Sequence, residues 1–589
     1  MRVVKEEVAP DKRSSEARNT CVIVLSVLSM ACLASNAFAQ VSTATEEQRR
    51  RAQQETEERL RNREAPRAVL PVPLPVPETP AESSELTLPL ETPCFTLTQL
   101  KLDGNRVTEF GWLQTALDAY QGQCMGHQGL SIIVKRLNAL LIERGFVTAR
   151  INIPEQDLST GKLTLILIPG VIRDIRFNDS STPNPTSNPA SLRWRSAFPT
   201  RPGDLLNLRD LEQGLEQLKR VPSQDADMQI APGERPGESD IIITLKQSKA
   251  WRISATLDDS GSRPTGKLQA SLSVSLDNLL GLNDLLSLTT TNDAEGGNVD
   301  RRGTHGDSLS YSVPWGYWTL HLSSSQNKYR QVIQGVNQTF ISSGESAQSE
   351  IKLHRVIDRD QSSKTAMQMR LIRRSSHSFI DETEIDVQKR TTTAVEVALI
   401  HNHYMGSAQF DVTLAHKEGV PWLGGMKDAE NRLSSSPTFR YNIQTLDLSL
   451  TAPFTLGDQR LRWLSAWRGQ TTRMPLYAAD YFAIGGRYTV RGFDGEQTLA
   501  AEQGWYWRNE LELALGNSGI ATYAALDHGY VSGPSATFLA GHRLTGAALG
   551  LRGGAHGFSF DVFAGQALNK PEGFTTRKPT LGFQLAYQY

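Results

Sequence analysis

Two side chains of opposite charge stand out among the residues able to do chemistry. Arg491 lies in FAIGGRYTVRGFDGEQ (482–497), a Gly-rich stretch whose basic-aromatic tip is Val490-Arg491-Gly492-Phe493. Between alternating segments this stretch reads as a long loop rather than a strand. Asp527 lies in YAALDHG (523–529), which reads as a strand carrying an acid two residues before Gly529. Nothing in the spacing joins the two, and by composition alone Arg491 reads as a solvated loop cation.

Other candidate chemistries fail on their own terms. Residues 261–267 (GSRPTGK) fit the G-x-x-x-x-G-K skeleton of a phosphate loop. Leu268, however, stands where a Ser or Thr would hold Mg²⁺, and an alternating strand follows where a helix N-terminus should meet the phosphate. The stretch reads as a hairpin turn, and no nucleotide is expected. His401-Asn402-His403 has no carboxylate or cysteine at ligand spacing, so it reads as a barrel strand or loop position and not as a metal site. No Ser-His-Asp set and no paired carboxylates are recognisable, so neither an enzyme nor a cofactor is expected. With 62 Lys+Arg against 63 Asp+Glu, the net charge of −1 gives no basic face for nucleic acid.

The N-terminus bears on the redox setting. Lys5, Lys12, Arg13 and Arg18 precede an apolar run, CVIVLSVLSMACL (21–33), and Ala37-Phe38-Ala39 supplies an A-x-A cleavage site. Residues 1–39 therefore read as an export signal. The apolar run is too short for a comfortable membrane anchor, and maturation is expected at Gln40. Cys21 and Cys32 fall in the leader, which leaves Cys94 and Cys124. In an exported protein an even pair reads as a disulfide, here closing a loop of about 30 residues and stabilising by roughly 3 kcal/mol on the chain-entropy model.

The elements that must carry these residues fall into five stretches. Residues 40–65 hold a helix charged on all sides, with Glu46/Arg50, Glu47/Arg51, Glu55/Arg59 and Glu57/Arg61 in the favourable acid-first order. Lacking an apolar face, that helix cannot join a core and belongs in water or in a polar channel. Residues 66–92, with PVPLPVP, read as an extended polyproline II spacer. Residues 93–171 read as a small α+β unit. CFTLTQLKL (94–102) is a strand, 110–120 a helix, Leu130, Ile133, Leu137, Leu140 and Leu141 mark a second helix, and 146–153 and 163–168 are strands. Residues 172–248 repeat the order loosely. They comprise a strand at IRDIRF, a Pro/Ser/Asn-rich loop (180–190), a short helical stretch near Trp194, a helix marked by Leu208, Leu211, Leu215 and Leu218, and two closing strands.

From residue 249 helical periodicity gives way to period two. Trp251, Ile253, Ala255 and Leu257 alternate with polar residues, as do Leu268, Ala270, Leu272, Val274 and Leu276, and Leu581, Phe583, Leu585, Tyr587 and Tyr589. Strands of about ten residues with one apolar face match a lipid-out, lumen-in barrel, and about 339 residues at ~21 per strand and loop give ~16 strands. PWGYW and WYW suit interfacial aromatic girdles better than the surface of a soluble sandwich or β-helix.

VRGF with a downstream D-x-G strand resembles the outer-membrane transporters of two-partner secretion, the haemolysin and filamentous-haemagglutinin secretion-activation family, which is related to barrel-assembly proteins. PCFTLTQLKLDG with GQCMGHQGL, ARINIPEQDLSTGKL, LDDSGSRPTGKLQ…LDNLLGLND, YSVPWGYW and WRNEL resemble the same family, so the likeness runs from about Thr43 to Tyr589. It implies a mainly β protein with a plug helix, a linker, two polypeptide-transport-associated (POTRA) domains and a 16-stranded antiparallel transmembrane barrel. It also implies that the Val490–Phe493 loop folds back into the lumen and that Arg491 pairs with Asp527. Asp494, Glu502 and Glu510 remain rival partners. An arginine fork suits such an anchor because it grips a carboxylate through two parallel hydrogen bonds.

The function implied is export of an unfolded adhesin- or haemolysin-like partner, received by the POTRA domains in the periplasm, with activation on the way as an extension of the same role. Outer-membrane lipid is expected around the barrel, and the barrel-assembly machinery is an expected partner during biogenesis. The alternatives are an assembly factor that inserts membrane proteins and a diffusion porin; the latter would not need residues 94–247.

Overall fold

A computed structural model describes residues 88–179, 195–296, 301–335 and 338–589. The expected leader, the polar helix, most of the Pro-rich spacer, the 180–190 loop and Trp194 lie outside the described residues.

The first α+β unit comprises β1 (Phe95–Thr96), β2 (Gln99–Gly104), α1 (Gly111–Asp118), β3 (Cys124–Met125), α2 (His127–Glu143), β4 (Arg150–Asn152) and β5 (Lys162–Ile168). Its sheet runs β2-β5-β4, with β2 parallel to β5. Period-two burial on β5 turns Leu163, Leu165 and Leu167 inward. Helical spacing presents Leu113 and Leu117 from α1, and Ile133, Leu137 and Leu141 from α2, to the same core. Cys94 and Cys124 are joined, with Cα atoms 5.4 Å apart, beside the short β1–β3 pairing. Glu91 caps α2 by accepting hydrogen bonds from the backbone N–H of Gln128 (2.8 Å) and Gly129 (2.6 Å).

Two expectations for this unit change. The strand expected over 94–102 breaks at Leu97-Thr98, whose N–H groups turn to the carbonyls of Gln123 and Gly161. The strand expected over 146–153 shortens to β4. The Phe146 N–H still closes the end of α2 on the Leu141 carbonyl, and its ring packs edge-on to Phe110 at 4.9 Å. Apolar content there serves the helix-side core before the sheet, which alternation alone does not distinguish.

The second unit comprises β6 (Val171–Asp179), α3 (Leu208–Lys219), β7 (Gln224–Pro232) and β8 (Glu238–Gln247), with sheet order β6-β8-β7. Residues 195–197 are helical. Asn207 caps α3 through Arg209 N–H (2.9 Å) and also donates to Arg144 O (3.2 Å), fastening α3 to the end of α2. One face of α3, Leu211, Leu215 and Leu218, enters the core of the unit.

The barrel strands are β9 (Trp251–Asp258), β10 (Gln269–Asp277), β11 (Leu285–Asp293), β12 (Gly303–Trp315), β13 (Trp318–Gln334), β14 (Thr339–Arg359), β15 (Ser363–Ile380), a two-residue extension β16 (Thr383–Glu384), β17 (Arg390–Met405), β18 (Ala408–Val420), β19 (Asn442–Leu456) and β20 (Gln459–Thr471). A ribbon of β21 (Phe482–Ile484) and β22 (Leu499–Ala501) interrupts them, and β23 (Gln503–Ala514), β24 (Ile520–Ser532), β25 (Arg543–Ala555), β26 (Phe558–Asn569) and β27 (Thr580–Gln588) complete the wall. Sixteen long antiparallel strands thus close, with β27 paired to β9 and Tyr589 N–H donating to Ile253 O at 2.9 Å.

Apolar side chains such as Leu272, Leu288, Leu309, Leu399, Leu414 and Leu549 stand exposed on the outside, where lipid covers them. His401 and His403 lie on β17 in the same outward row as Val397 and Leu399, their rings 6.0 Å apart. Residues 261–267 form the β9–β10 hairpin, closed by Gly261 N–H on Lys267 O (3.0 Å). Strands expected at about ten residues reach 21 in β14. At ~3.4 Å per residue that is on the order of 70 Å, well beyond a ~25 Å apolar band, so the surplus stands outside the membrane.

The polar face of α3 clasps the near rim of the barrel. Gln213 and Gln217 donate to Gly316 O (3.3 and 3.1 Å), and Arg220 donates to Ser312 Oγ and Asn283 O (both 2.7 Å). Glu216 pairs with Arg359 (2.6 Å) and Lys364 (2.7 Å). Burial pushes the Glu216 carboxyl up, but the two cations outweigh it and hold the group below the usual carboxylate range. The clasp is therefore fully present above the ordinary carboxylate pKa and is lost as pH falls through the lowered value. Acidification is expected to lower the hydrogen-exchange protection of α3 relative to the intrinsic amide rate at each pH, with Glu216→Gln removing that pH dependence of protection. Protection in α3 that is the same across the carboxylate range would show that the ion pairs do not hold the docking.

Candidate functional site

The connection between β20 and β23, residues 472–502, lies at the end of the barrel opposite α3 and folds back into the lumen. Its ribbon and tip are apolar in a polar setting and make their own core. Val490 and Phe493 are buried with Phe482, Ile484, Leu499, Val531, Leu544 and Phe574. The Phe493 and Phe574 rings meet edge to face at 5.7 Å. Gly492 turns the tip with φ +98°, a conformation that strains any side chain.

That turn aims Arg491 at the wall. Its Nε donates to Asp527 Oδ2 (2.7 Å) and its Nη2 to Asp527 Oδ1 (2.8 Å), a two-bond fork, while its backbone N–H donates to Oδ2 at 2.9 Å. Nη1 donates to Glu510, and Nη2 also reaches Asn509 O at 3.3 Å. The Asp527 side chain is fully buried, and those of Arg491 and Glu510 nearly so. The register explains why two acids meet one base. Asp527 on β24 sits opposite Arg508 on β23, and Glu510, two residues along, points to the same lumen face.

The arrangement brings Arg491 and Asp527 together, with Glu510 as a simultaneous partner of Arg491 instead of a rival. Asp494 and Glu502 do other work. Asp494 accepts from Thr576 Oγ1 (3.2 Å) and Arg577 N–H (3.1 Å), and Glu502 accepts from Ser535 Oγ (2.7 Å). Gly529 leaves the space that Val490 and Ile484 fill; a Cβ there would lie 2.9 Å from Val490 Cγ2.

Sequence reasoning missed Gly546, where a Cβ would fall 1.9 Å from Arg491 O, and Arg552, which pairs with Glu510 (2.8 Å) and Glu512 (3.2 Å). The glycine carried no readable signal, since a Gly in a barrel strand is unremarkable alone. Beside the tip the lumen holds a cavity of about 1240 Å³ lined by Arg460, Arg487, Arg508, Glu510, Glu512 and Arg552 among others. The disulfide lies apart from this site, in the first α+β unit.

A closed, lipid-faced barrel with a loop clamped in its lumen and two α+β units in series before it, the second clasped to one rim, defines an outer-membrane transporter. Residues 237–553 match the haemolysin secretion/activation proteins ShlB/FhaC/HecB, 95–170 a ShlB-type POTRA domain and 171–232 a POTRA domain. The chain belongs to that secretion/activation family, and its two α+β units are POTRA domains, periplasmic in this family.

Its relatives include the outer membrane transporter CdiB-2 of Burkholderia pseudomallei, 41% identical over 97% of this chain and 98% of that one. The hemolysin transporter protein ShlB of Serratia marcescens is 27% identical over 75% of this chain and 76% of its own. Among solved structures, CdiB from Escherichia coli superposes with a TM-score of 0.80 at 26% identity, covering 92% of this chain and 99% of that one. CdiB from Acinetobacter baumannii gives 0.79 at 29% identity, covering 94% and 98%.

Proposed function

We propose that the POTRA pair receives an unfolded partner exoprotein in the periplasm and that the 472–502 loop, clamped by Arg491, gates its passage through the barrel. The single observation behind this reading is the buried Arg491–Asp527–Glu510 clamp, a directional anchor on a loop that occupies the lumen. A barrel of about 16 strands encloses an aqueous channel wide enough for an extended chain but not for a folded domain. The three-stranded POTRA sheets offer open edges at β4 and β7, which supports capture by strand addition.

The polar helix expected at 40–65 fits a polar lumen, from which its spacer lets it leave without detaching. The name of the Serratia relative, a hemolysin transporter, supports a haemolysin-like secreted partner, and the family's description as secretion/activation proteins supports activation on the same path. Without nucleotide, folding outside supplies the drive. Successive stacking of β-helical repeats buries core progressively and pulls the chain one way. Insertion of this barrel by the barrel-assembly machinery completes the set of partners.

Co-expression with a candidate exoprotein tests the reading. Deleting residues 94–247 is expected to strand the exoprotein in the periplasm while the barrel remains in the outer membrane. Undiminished export by the deleted form would refute it and favour a simple pore.

A further inference from the structure

The gate loop is held at its root as well as at its tip, and by a charge of the opposite sign. Asp480 Oδ1 accepts from Lys417 Nζ at 2.8 Å and from Tyr441 OH at 3.4 Å, and Arg374 Nη1 lies 3.6 Å away. Gln470 Nε2 donates to the Asp480 carbonyl at 2.9 Å. Lys417 is on β18, Arg374 on β15 and Gln470 on β20, so the Asp480 carboxylate is tied to two strands and its backbone carbonyl to a third. Its side chain is only 7% exposed.

Apolar contacts around the root exist independently. Leu476 is buried against Tyr441 and Ile443, with Met474 and Tyr481 packed beside them, and the Tyr477 ring stacks on Phe439 at 4.5 Å. A neutral residue at 480 would therefore still seat the root. The charge adds directionality, at the expense of desolvating a carboxylate, and such buried ion pairs fix register more than they stabilise. The polarity does that here. The tip carries a base to acids on β23 and β24, and the root carries an acid to bases on β15 and β18. Neither end can dock on the other's wall without facing like charge.

We infer that Asp480 is a positioning residue for secretion. With Lys417 and Arg374 it forms a second latch on the 472–502 loop, opposite in sign to the Arg491 clamp, and the pore opens fully only when both are broken. This rests on the reading of that loop as the gate.

The test uses the purified full chain in planar lipid bilayers, so no exoprotein is needed. Asp480→Asn and Lys417→Met are each expected to raise the frequency of channel opening by about tenfold or more, the scale set by unpairing one member of a buried pair. Asp480→Glu is expected to return it towards the parent level. Heat-modifiable migration on gels identifies any variant that has not folded. An opening frequency for folded Asp480→Asn within about twofold of the parent, far below the tenfold scale above, overturns the second latch. That outcome leaves the gate reading standing, because the latter fails separately, if Arg491→Ala leaves secretion intact.

Discussion

Arg491→Ala is expected to reduce exoprotein in the culture supernatant by at least about 100-fold, with the barrel still inserted and heat-modifiable. The substitution removes both bonds of the fork to Asp527 and the bond to Glu510. Glu510 keeps Arg552 at 2.8 Å, but Asp527 keeps only backbone donors and Arg508 at 4.0 Å. A fully buried carboxylate left so poorly paired destabilises the seated loop by about 3–5 kcal/mol, discounted towards the lower figure by the wet lumen. Since 1.4 kcal/mol is about tenfold in an equilibrium, roughly 3 kcal/mol leaves the tip seated more than 100-fold less often. With the root still latched at Asp480, an unseated tip stays in the lumen in the path of the exoprotein, so secretion falls on that scale.

Arg491→Lys keeps the charge and loses the fork, so it should fall between the two. Asp527→Ala should act in the same direction as Arg491→Ala, and exchanging the two charges should restore part of the activity. Quantitative immunoblotting of supernatant against periplasm reads all four. Parental secretion from a folded Arg491→Ala barrel would leave the clamp with no part in transport.

Gly546→Val is expected to match that loss through sterics alone. Its Cβ would lie 1.9 Å from Arg491 O, a backbone atom that cannot swing aside. Valine is a better strand residue than glycine, so β25 itself should gain from the change. The displaced element is therefore the tip, which carries Arg491 away from Asp527. Ala547→Val, the next residue on the same strand, faces the opposite side of the sheet and serves as the control. Secretion should drop at least about 100-fold for the first variant, by the same free-energy scale as the clamp, and stay near the parent for the second. Equal secretion from both would show that the tip tolerates displacement from its seat.

Much of this architecture is legible because each signal is local. Period-two runs such as 251–257 and 268–276 could only be strands with one apolar face, and the barrel places those apolar residues outward. Leu211, Leu215 and Leu218 mark a helix face that the POTRA core then takes. The other face of the same helix, with Gln213, Glu216 and Gln217, and Arg220 just beyond its end, carries no local signal of a partner. In the structure it is the clasp on the barrel, because its partners at Gly316, Ser312 and Arg359 lie about a hundred residues or more away along the chain. Local failures have the same origin. Phe146 and its neighbours alternate like a strand, yet Phe110 claims the ring and only β4 remains.

What the amino-acid order determined alone was the sequence of parts: alternating strands with a lipid face, two α+β units before them, and a Gly-rich loop whose tip bears one arginine. Resemblance to a family then pointed that arginine at Asp527. Only the tertiary structure decided that Glu510 shares it, that Gly546 makes room for it and that Asp480 holds the other end of the loop. The reason is geometric. Asp527 and Glu510 become neighbours through the β23–β24 register, and Lys417 and Arg374 approach Asp480 through strands far earlier in the wall. Strand register around a closed barrel is set by the whole circuit of pairings, from β9 to β27 and back, and no local stretch of sequence encodes it.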